Sequence, residues 1–413
     1  MNLRVSGPFD CPPVVFVSTY PPRRCGIATF TQDLRHAMEG LASGPRPLET
    51  IGFPVVSLVE EITDTVGPGV TARILQDDIT SYTEAAHRIN TQCPAQAVSI
   101  QHEFGIFGGD DGEYVIALLE ALNKPVVTTF HTVLRRPSRR VKTIVRAIAG
   151  LSKSVVVMVK AGKELLQELY DIDPSMVVTI PHGVPTAEGL DREVIRKELS
   201  LCPCKVLSTI GLINPGKGVE YVIEAVSRLF KEFPDIIYLV VGQTHPVVRR
   251  KYGESYREHL QEVAHRIGVE GNVRFVNEYL SQQDLLRYLV ATDVYVAPYL
   301  NEEQISSGTL AYALAMGRAV VSTPFIYARE VLEGGRGLFS NFTDARSLAA
   351  ATGAILRSPD LQRDLEARAV AYRARIQWPN VARCYRDVFR ASLRGTARRV
   401  ATMDVPVSGR RHE

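Results

Sequence analysis

Two hydrophobic textures alternate along this chain. Short continuous apolar runs, the texture of strands buried on both faces, are separated by longer stretches in which apolar residues recur every third or fourth position. The first run covers residues 14–19 and leads through a Pro/Gly loop into a helix predicted over 28–38. Strand, loop and helix in that order open a doubly wound α/β domain. The pattern goes on to predict strands over 97–103, 125–131, 154–159 and 176–183, and helices over 82–91, 113–122, from 139, and over 162–170. Residues 1–185 thus make one Rossmann-like domain. Prolines, charges and Cys202-Pro203-Cys204 mark 186–204 as a linker, with a short helix over 191–199.

The alternation restarts at residue 205. Strands are predicted over 205–210, 236–241, 272–276, 294–298, 319–324 and 337–340, and helices over 219–230, 256–267, 283–291, 328–333, 345–356 and 360–376. In the first of these helices Val219, Val222, Ile223, Val226, Leu229 and Phe230 form one stripe, as an amphipathic helix requires. The second domain is placed at 205–372, a helix returning to the first domain at 373–395, and a flexible basic tail at 396–413. The most organised stretch runs from 299 to 323: a polar loop, a helix of small and apolar residues, then a buried strand. Its junction holds Ser306, Ser307, Gly308 and Thr309, whose backbone N–H groups and helix dipole suit an anion; an ordinary Ser/Thr cap on a core helix fits the same residues.

Composition narrows the class. At 413 residues the chain is too long for one core, and 45% hydrophobic with 23% charged residues is that of a globular protein. A net charge of +3 argues against nucleic acid as a partner. No run of 18 apolar residues exists and the N-terminus lacks a secretory apolar core, so a cytoplasmic protein with at most peripheral membrane contact is expected. The six cysteines lack the His/Cys spacing of a zinc site and are expected as free thiols.

Ligands of open parallel sheets bind at the carboxyl ends of the strands. In the first domain those ends carry Arg24, Gly26, His102, Glu103, Gly108, Gly109 and His131. In the second they carry 211–218 with Lys217, 242–245, Asn277, Tyr279, Leu280, and 304–310. The second set offers a lysine and helix amides for a phosphate-sized anion; the first offers groups suited to hydroxyls. His131 also fits a satisfied core histidine. His102 and Glu103 are adjacent on a strand, so at most one faces a cleft. Asp110-Asp111 fits a metal or a solvated turn, and the arginines 135, 136, 139 and 140 fit a phosphorylated acceptor, a membrane surface or a solvated helix start.

The arrangement resembles the family 4 glycosyltransferases over about residues 12–393. Gly211-Leu-Ile-Asn-Pro-Gly-Lys-Gly218 is similar to the family's glycine-lysine loop, and 272–277 with the following helix to its nucleotide-base segment. Residues 293–298 and 299–321 resemble its donor-binding core, 180–184 its hinge, and 376–382 its last helix. The resemblance implies the GT-B fold: two Rossmann-like α/β domains facing a central cleft, with a C-terminal helix crossing back to the first. It implies retaining transfer of a hexose, mannose or glucose, from a GDP- or UDP-sugar to a saccharide or glycoconjugate hydroxyl, with no metal and no cofactor beyond that co-substrate. His131, Lys217 and Gln304 become the catalytic set. The donor is assigned to Gly26, Lys217, Asn277, Tyr279, Leu280, Gln304, Ser306, Ser307, Gly308, Thr309, Leu310 and Tyr312, and the acceptor side to Arg24, His102, Glu103, Gly108 and Gly109. Gln304 and Tyr312 stand where the family pairs two glutamates, and Leu212 where it carries an arginine. A nucleotide-sugar epimerase, a phosphorylase of the same architecture, and a sugar-nucleotide-binding protein that has lost catalysis are the alternatives.

Overall fold

A computed structural model describes residues 11–42, 52–186 and 188–394. Two compact units emerge: one runs up to Gly183 and resumes at Trp378, and the other spans Val184–Gln377. The first is built on seven parallel strands, β1 (Val14–Ser18), β2 (Val55–Val59), β3 (Val70–Leu75), β4 (Ala97–His102), β5 (Val126–Phe130), β6 (Ser154–Val157) and β7 (Val177–Thr179), in the order β3-β2-β1-β4-β5-β6-β7. The second has six, β8 (Lys205–Ile210), β9 (Ile236–Val241), β10 (Val273–Val276), β11 (Val294–Ala297), β12 (Ala319–Ser322) and β13 (Leu338–Phe339), in the order β10-β9-β8-β11-β12-β13. Each is a doubly wound sheet whose strand order reverses once, between β1 and β4 and between β8 and β11.

Every residue of β1, β2, β4, β5 and β6 is buried, which is why apolar residues predominate in them; β4 and β5 also bury Ser99, Gln101, His102, Thr128 and Thr129. β2 and β3 lie outside the sequence prediction, as does the helix Pro246–Tyr252. β3 is an edge strand with a half-exposed pattern, so it lacks the solid run of its neighbours. The helix Pro246–Tyr252 has no buried residue, so no apolar stripe announces it.

Residues 188–204, predicted as linker, carry the helix Arg192–Glu198 and belong to the second unit. Asp293, just before β11, holds them. It pairs with Arg192 and Arg196 and accepts from the Val206 amide at 2.7 Å. The returning helix is Trp378–Leu393, whereas 373–376 close the preceding helix Pro359–Ile376. Its buried residues Val381, Ala382, Tyr385, Val388 and Phe389 form one stripe against the helix Gly26–Leu41, and the Tyr385 hydroxyl meets Thr129 on β5 at 3.1 Å. Gly183 makes room for Trp378: a Cβ there would lie 2.2 Å from the indole ring. All six cysteines are free thiols.

Candidate functional site

The carboxyl ends of β8 and β11 lie side by side at the point where the second sheet reverses its order, the position at which such sheets take ligands. Three loops meet there backbone to backbone. Gly242, following β9 at φ +131°, would drive a Cβ to 2.0 Å from the Gly211 carbonyl oxygen; Gly218, at φ +61°, would drive one to 2.3 Å from that of Pro298. Only glycine permits both the positive φ and the approach. The Leu300 amide donates to the Gly216 carbonyl at 3.0 Å and closes the contact.

These loops fix Lys217. Its Nζ lies 3.8 Å from the centroid of the Tyr299 ring, and a Cβ built on Gly211 would lie 3.7 Å from that Nζ and 3.5 Å from the Thr309 methyl. Among the described residues no carboxylate is within ion-pair distance of it. Burial opposes ionisation of the Tyr299 phenol; the Lys217 ammonium and the hydroxyls of Thr309 and Tyr295 outweigh burial and bring its pKa down to about 8. His245, half-buried beyond β9, is held below the ordinary histidine value by burial and then by Lys217, so the lysine's field reaches it.

The helix Gly308–Ala315 starts beside Lys217. Leu310 through Ala315 are all buried, each leucine contributing roughly 2–3 kcal/mol through burial. Ser307 caps it, its side chain accepting from the Leu310 amide at 3.3 Å and its carbonyl from Ala311 at 3.1 Å. The half-buried Gly308 and Thr309 come first in the helix, and their N–H groups have no carbonyl one turn back. Leu310, predicted to donate to the ligand, already shares its amide with this cap. Gln304 donates through Nε2 to the Ser306 carbonyl at 2.7 Å and so shapes the loop that precedes the helix.

Tyr312 is 6% exposed, and its hydroxyl accepts from Gln282 Nε2 at 3.4 Å. Gln282 opens the helix Gln282–Ala291, just after Asn277, Tyr279 and Leu280. Asn277 and Tyr279 are exposed beyond β10 and Leu280 is half-buried. Gln282, Tyr295 and Tyr299 escaped sequence reasoning, because tyrosines in and just after a buried strand read as core and Gln282 reads as an ordinary first-turn residue.

In the first unit the predicted residues divide. His131 follows β5, is 4% exposed, and its Nε2 lies 3.0 Å from Gln101 Oε1. The Gln101 Nε2 is spent on Ser99, so the amide oxygen accepts and the imidazole Nε2–H donates. Burial, then the neighbouring His182 and His102, push its pKa down to about 3; it is a neutral imidazole. His102 is a core residue, correcting its placement on the acceptor side. It is fully buried, stacks on Phe107 and meets Phe104 and Phe130 edge-on, with both ring nitrogens unpartnered. Glu103 is turned inward too, accepting from Thr132 at 2.7 Å and the Phe104 amide at 3.0 Å, and burial raises its pKa. Gly108 is buried and a Cβ there would strike the Gln76 carbonyl at 1.8 Å; Gly109 packs against Tyr114. Packing thus explains why both positions are glycine. Arg24 is exposed in the loop after β1, and the exposed Gly26 opens the helix Gly26–Leu41. Asp110 pairs with Arg140, and among the described residues no His/Cys/Asp/Glu cluster suits a metal.

The doubly wound pair and the loop-lysine site define a class, the GT-B fold. Solved structures share it: a glycosyltransferase from Rickettsia africae superposes with a TM-score of 0.72 at 16% identity, covering 92% of this chain and 98% of that one. Anabaena HepE, solved with UDP-glucose, gives 0.68 at 15% identity, covering 92% and 99%. A model described as "Glycosyl transferases group 1" matches residues 204–358, and one described as "Glycosyltransferase Family 4" matches 109–188. Together these matches support a family 4 glycosyltransferase. The chain is 29% identical over 237 residues to D-inositol 3-phosphate glycosyltransferase 2 of Catenulispora acidiphila, covering 55% of this chain and 53% of that one. It is also 26% identical over 284 residues to the phosphatidyl-myo-inositol mannosyltransferase of Mycolicibacterium smegmatis, covering 67% and 68%. The chain thus spans about half the length of the first of these relatives. Among the described residues no helix is long and apolar enough to cross a membrane.

Proposed function

We propose that this protein transfers a hexose, mannose or glucose, from a nucleoside diphosphate sugar to a hydroxyl of a saccharide or glycoconjugate, with retention at the anomeric carbon. One observation carries the reading: Lys217, unpaired with any described carboxylate, stands beside the open Gly308 and Thr309 amides at the switch point of the second sheet. The relatives named for inositol phosphate and phosphatidyl-inositol glycosylation agree with a polyhydroxy acceptor, and the UDP-glucose held by HepE agrees with a nucleotide-sugar donor.

The bond between the anomeric carbon and the diphosphate oxygen breaks with its electron pair on the leaving oxygen. The acceptor oxygen bonds to the same carbon on the same face, and its proton passes to the departing phosphate. Lys217 and the two amides stabilise the charge that grows on the diphosphate, as fixed donors in place of solvent. Gln304 Oε1 orients the sugar hydroxyls. Tyr312 with Gln282, and the Asn277–Leu280 loop, face the nucleoside. No carboxylate nucleophile and no metal enter the scheme.

A thermal-shift series with GDP, UDP, ADP and CDP tests the reading. At a hundredfold excess over its dissociation constant the right nucleotide adds about 2.7 kcal/mol of stability. The matching sugar nucleotide should then lose its sugar only when an acceptor is present. If no nucleoside diphosphate raises Tm, the donor assignment is wrong. Tight binding without transfer to any saccharide would leave a binding protein.

A further inference from the structure

We infer that Tyr299 is the positioning residue for Lys217, using the face of its ring to hold the ammonium at the mouth of the donor site. The inference rests on the diphosphate role given to Lys217 above. Tyr299 is 1% exposed, yet the Lys217 Nζ sits 3.8 Å from its ring centroid. A cation over an aromatic face is held more firmly than one free in water, and this lysine is half-buried. The ring itself is locked on both sides. It stacks on Phe325 at 5.1 Å and 25°, and its hydroxyl joins a triangle with Tyr295 at 3.2 Å and Thr309 at 2.9 Å, which Tyr295 and Thr309 close at 3.0 Å.

Thr309 belongs to the first turn of the helix whose amides complete the anion site, so one side chain ties the lysine to the helix start. A lysine on a flexible stem otherwise needs a carboxylate to hold it, and a carboxylate would cancel the charge the diphosphate requires. An aromatic face holds the ammonium and leaves its charge intact. Leu212, close to Lys217 along the same loop, is neutral and contributes none of that charge.

The test uses the full chain with Tyr299→Leu, Tyr299→Phe, Lys217→Ala and the double variant Lys217→Ala/Tyr299→Leu. Removing the ring should weaken nucleoside diphosphate binding and lower turnover by about tenfold each, whereas Tyr299→Phe should stay within about threefold of wild type because it keeps the face. In the Lys217→Ala background Tyr299→Leu should add nothing, since the ring acts only through the lysine. A spectroscopic readout is independent of activity: protons of the Lys217 ε-methylene lie in the shielding cone of the ring and should resonate upfield in the wild-type protein. Absence of that shift overturns the inference even if Tyr299→Leu fails to fold. Equal losses in Phe and Leu overturn it in favour of the hydroxyl triangle. If Lys217→Ala binds nucleotide normally while the shift is present, the diphosphate reading fails and the stacking stands.

Discussion

Lys217→Ala is the substitution on which the proposed chemistry turns, and its size can be worked from the geometry. The ammonium is held over a ring at 3.8 Å with no described carboxylate beside it, so nothing nearby cancels its field. At about 4 Å from a phosphate oxygen and an effective dielectric of about 20, it contributes roughly 4 kcal/mol per unit of charge. Most of that attraction exists already in the bound donor, where the diphosphate is charged; it raises affinity without speeding the reaction. Only the charge added as the sugar departs acts on kcat. A share of one-third to two-thirds predicts a loss of about 1.4–2.7 kcal/mol, or 10- to 100-fold in kcat, with nucleotide affinity weakened at least tenfold besides. The side chain supports no core element, so Tm without ligand should move by no more than a degree or two. Initial rates of nucleoside diphosphate release at saturating donor, with isothermal titration for affinity, measure the two parts separately. A folded variant whose kcat and kcat/KM stay within twofold of wild type would refute the reasoning.

Three further outcomes are expected. Gly242→Ala puts a Cβ 2.0 Å from a backbone oxygen at φ +131°, and should cost about 2–4 kcal/mol in urea unfolding and loosen nucleotide binding together; a loss under 0.5 kcal/mol would show that the loops are not in contact. Asp293→Ala strips Arg192, Arg196 and the Val206 amide of their shared acceptor and should destabilise by about 2–4 kcal/mol, visible as a lower denaturation midpoint with kcat preserved at low temperature. His102, His131 and His182 are held by burial at about 3, 3 and 4, below the ordinary 6.5. The unfolded chain therefore binds protons that the folded one refuses, so stability is full above about pH 6.5 and falls as pH drops towards 4, by up to about 1.4 kcal/mol per unit for each histidine. Glu103, raised by burial, opposes this at the acid end. His102→Phe should relieve two unpartnered nitrogens, stabilise by about 1 kcal/mol at pH 7, and flatten the acid slope by about a third; an unchanged slope in urea melts between pH 4.5 and 6.5 would exclude it.

The periodicity of the chain determined most of the architecture. Parallel strands buried on both faces are predominantly apolar, so β1, β5, β8, β9 and β11 announce themselves, and helices between them carry their stripe facing the sheet. Elements that bury little stayed silent, namely the edge strand β3 and the exposed helix Pro246–Tyr252. β2 is a different case, missed although its five buried residues carry a largely apolar run. Glycine, lysine and the small residues near 306–309 were also readable, because an anion site needs backbone amides and a cation close together in sequence or at neighbouring strand ends.

Tertiary structure alone decided how those pieces are used. Nothing in residues 299 or 217 says that a buried tyrosine face will carry the lysine, since the two are 82 positions apart and meet only because β8 and β11 are neighbours in the sheet. Whether His102 and Glu103 point to solvent or inward depends on the three phenylalanines and Thr132 that surround them, and the choice follows from where those chains happen to pack. Gly108, Gly218 and Gly242 look alike in the sequence, yet one clears a helix-supporting carbonyl and two let the loops of a binding site touch. A hydrophobic pattern is local and survives in one dimension; which side chain fills which space is set by contacts between distant segments, and only the folded chain holds them.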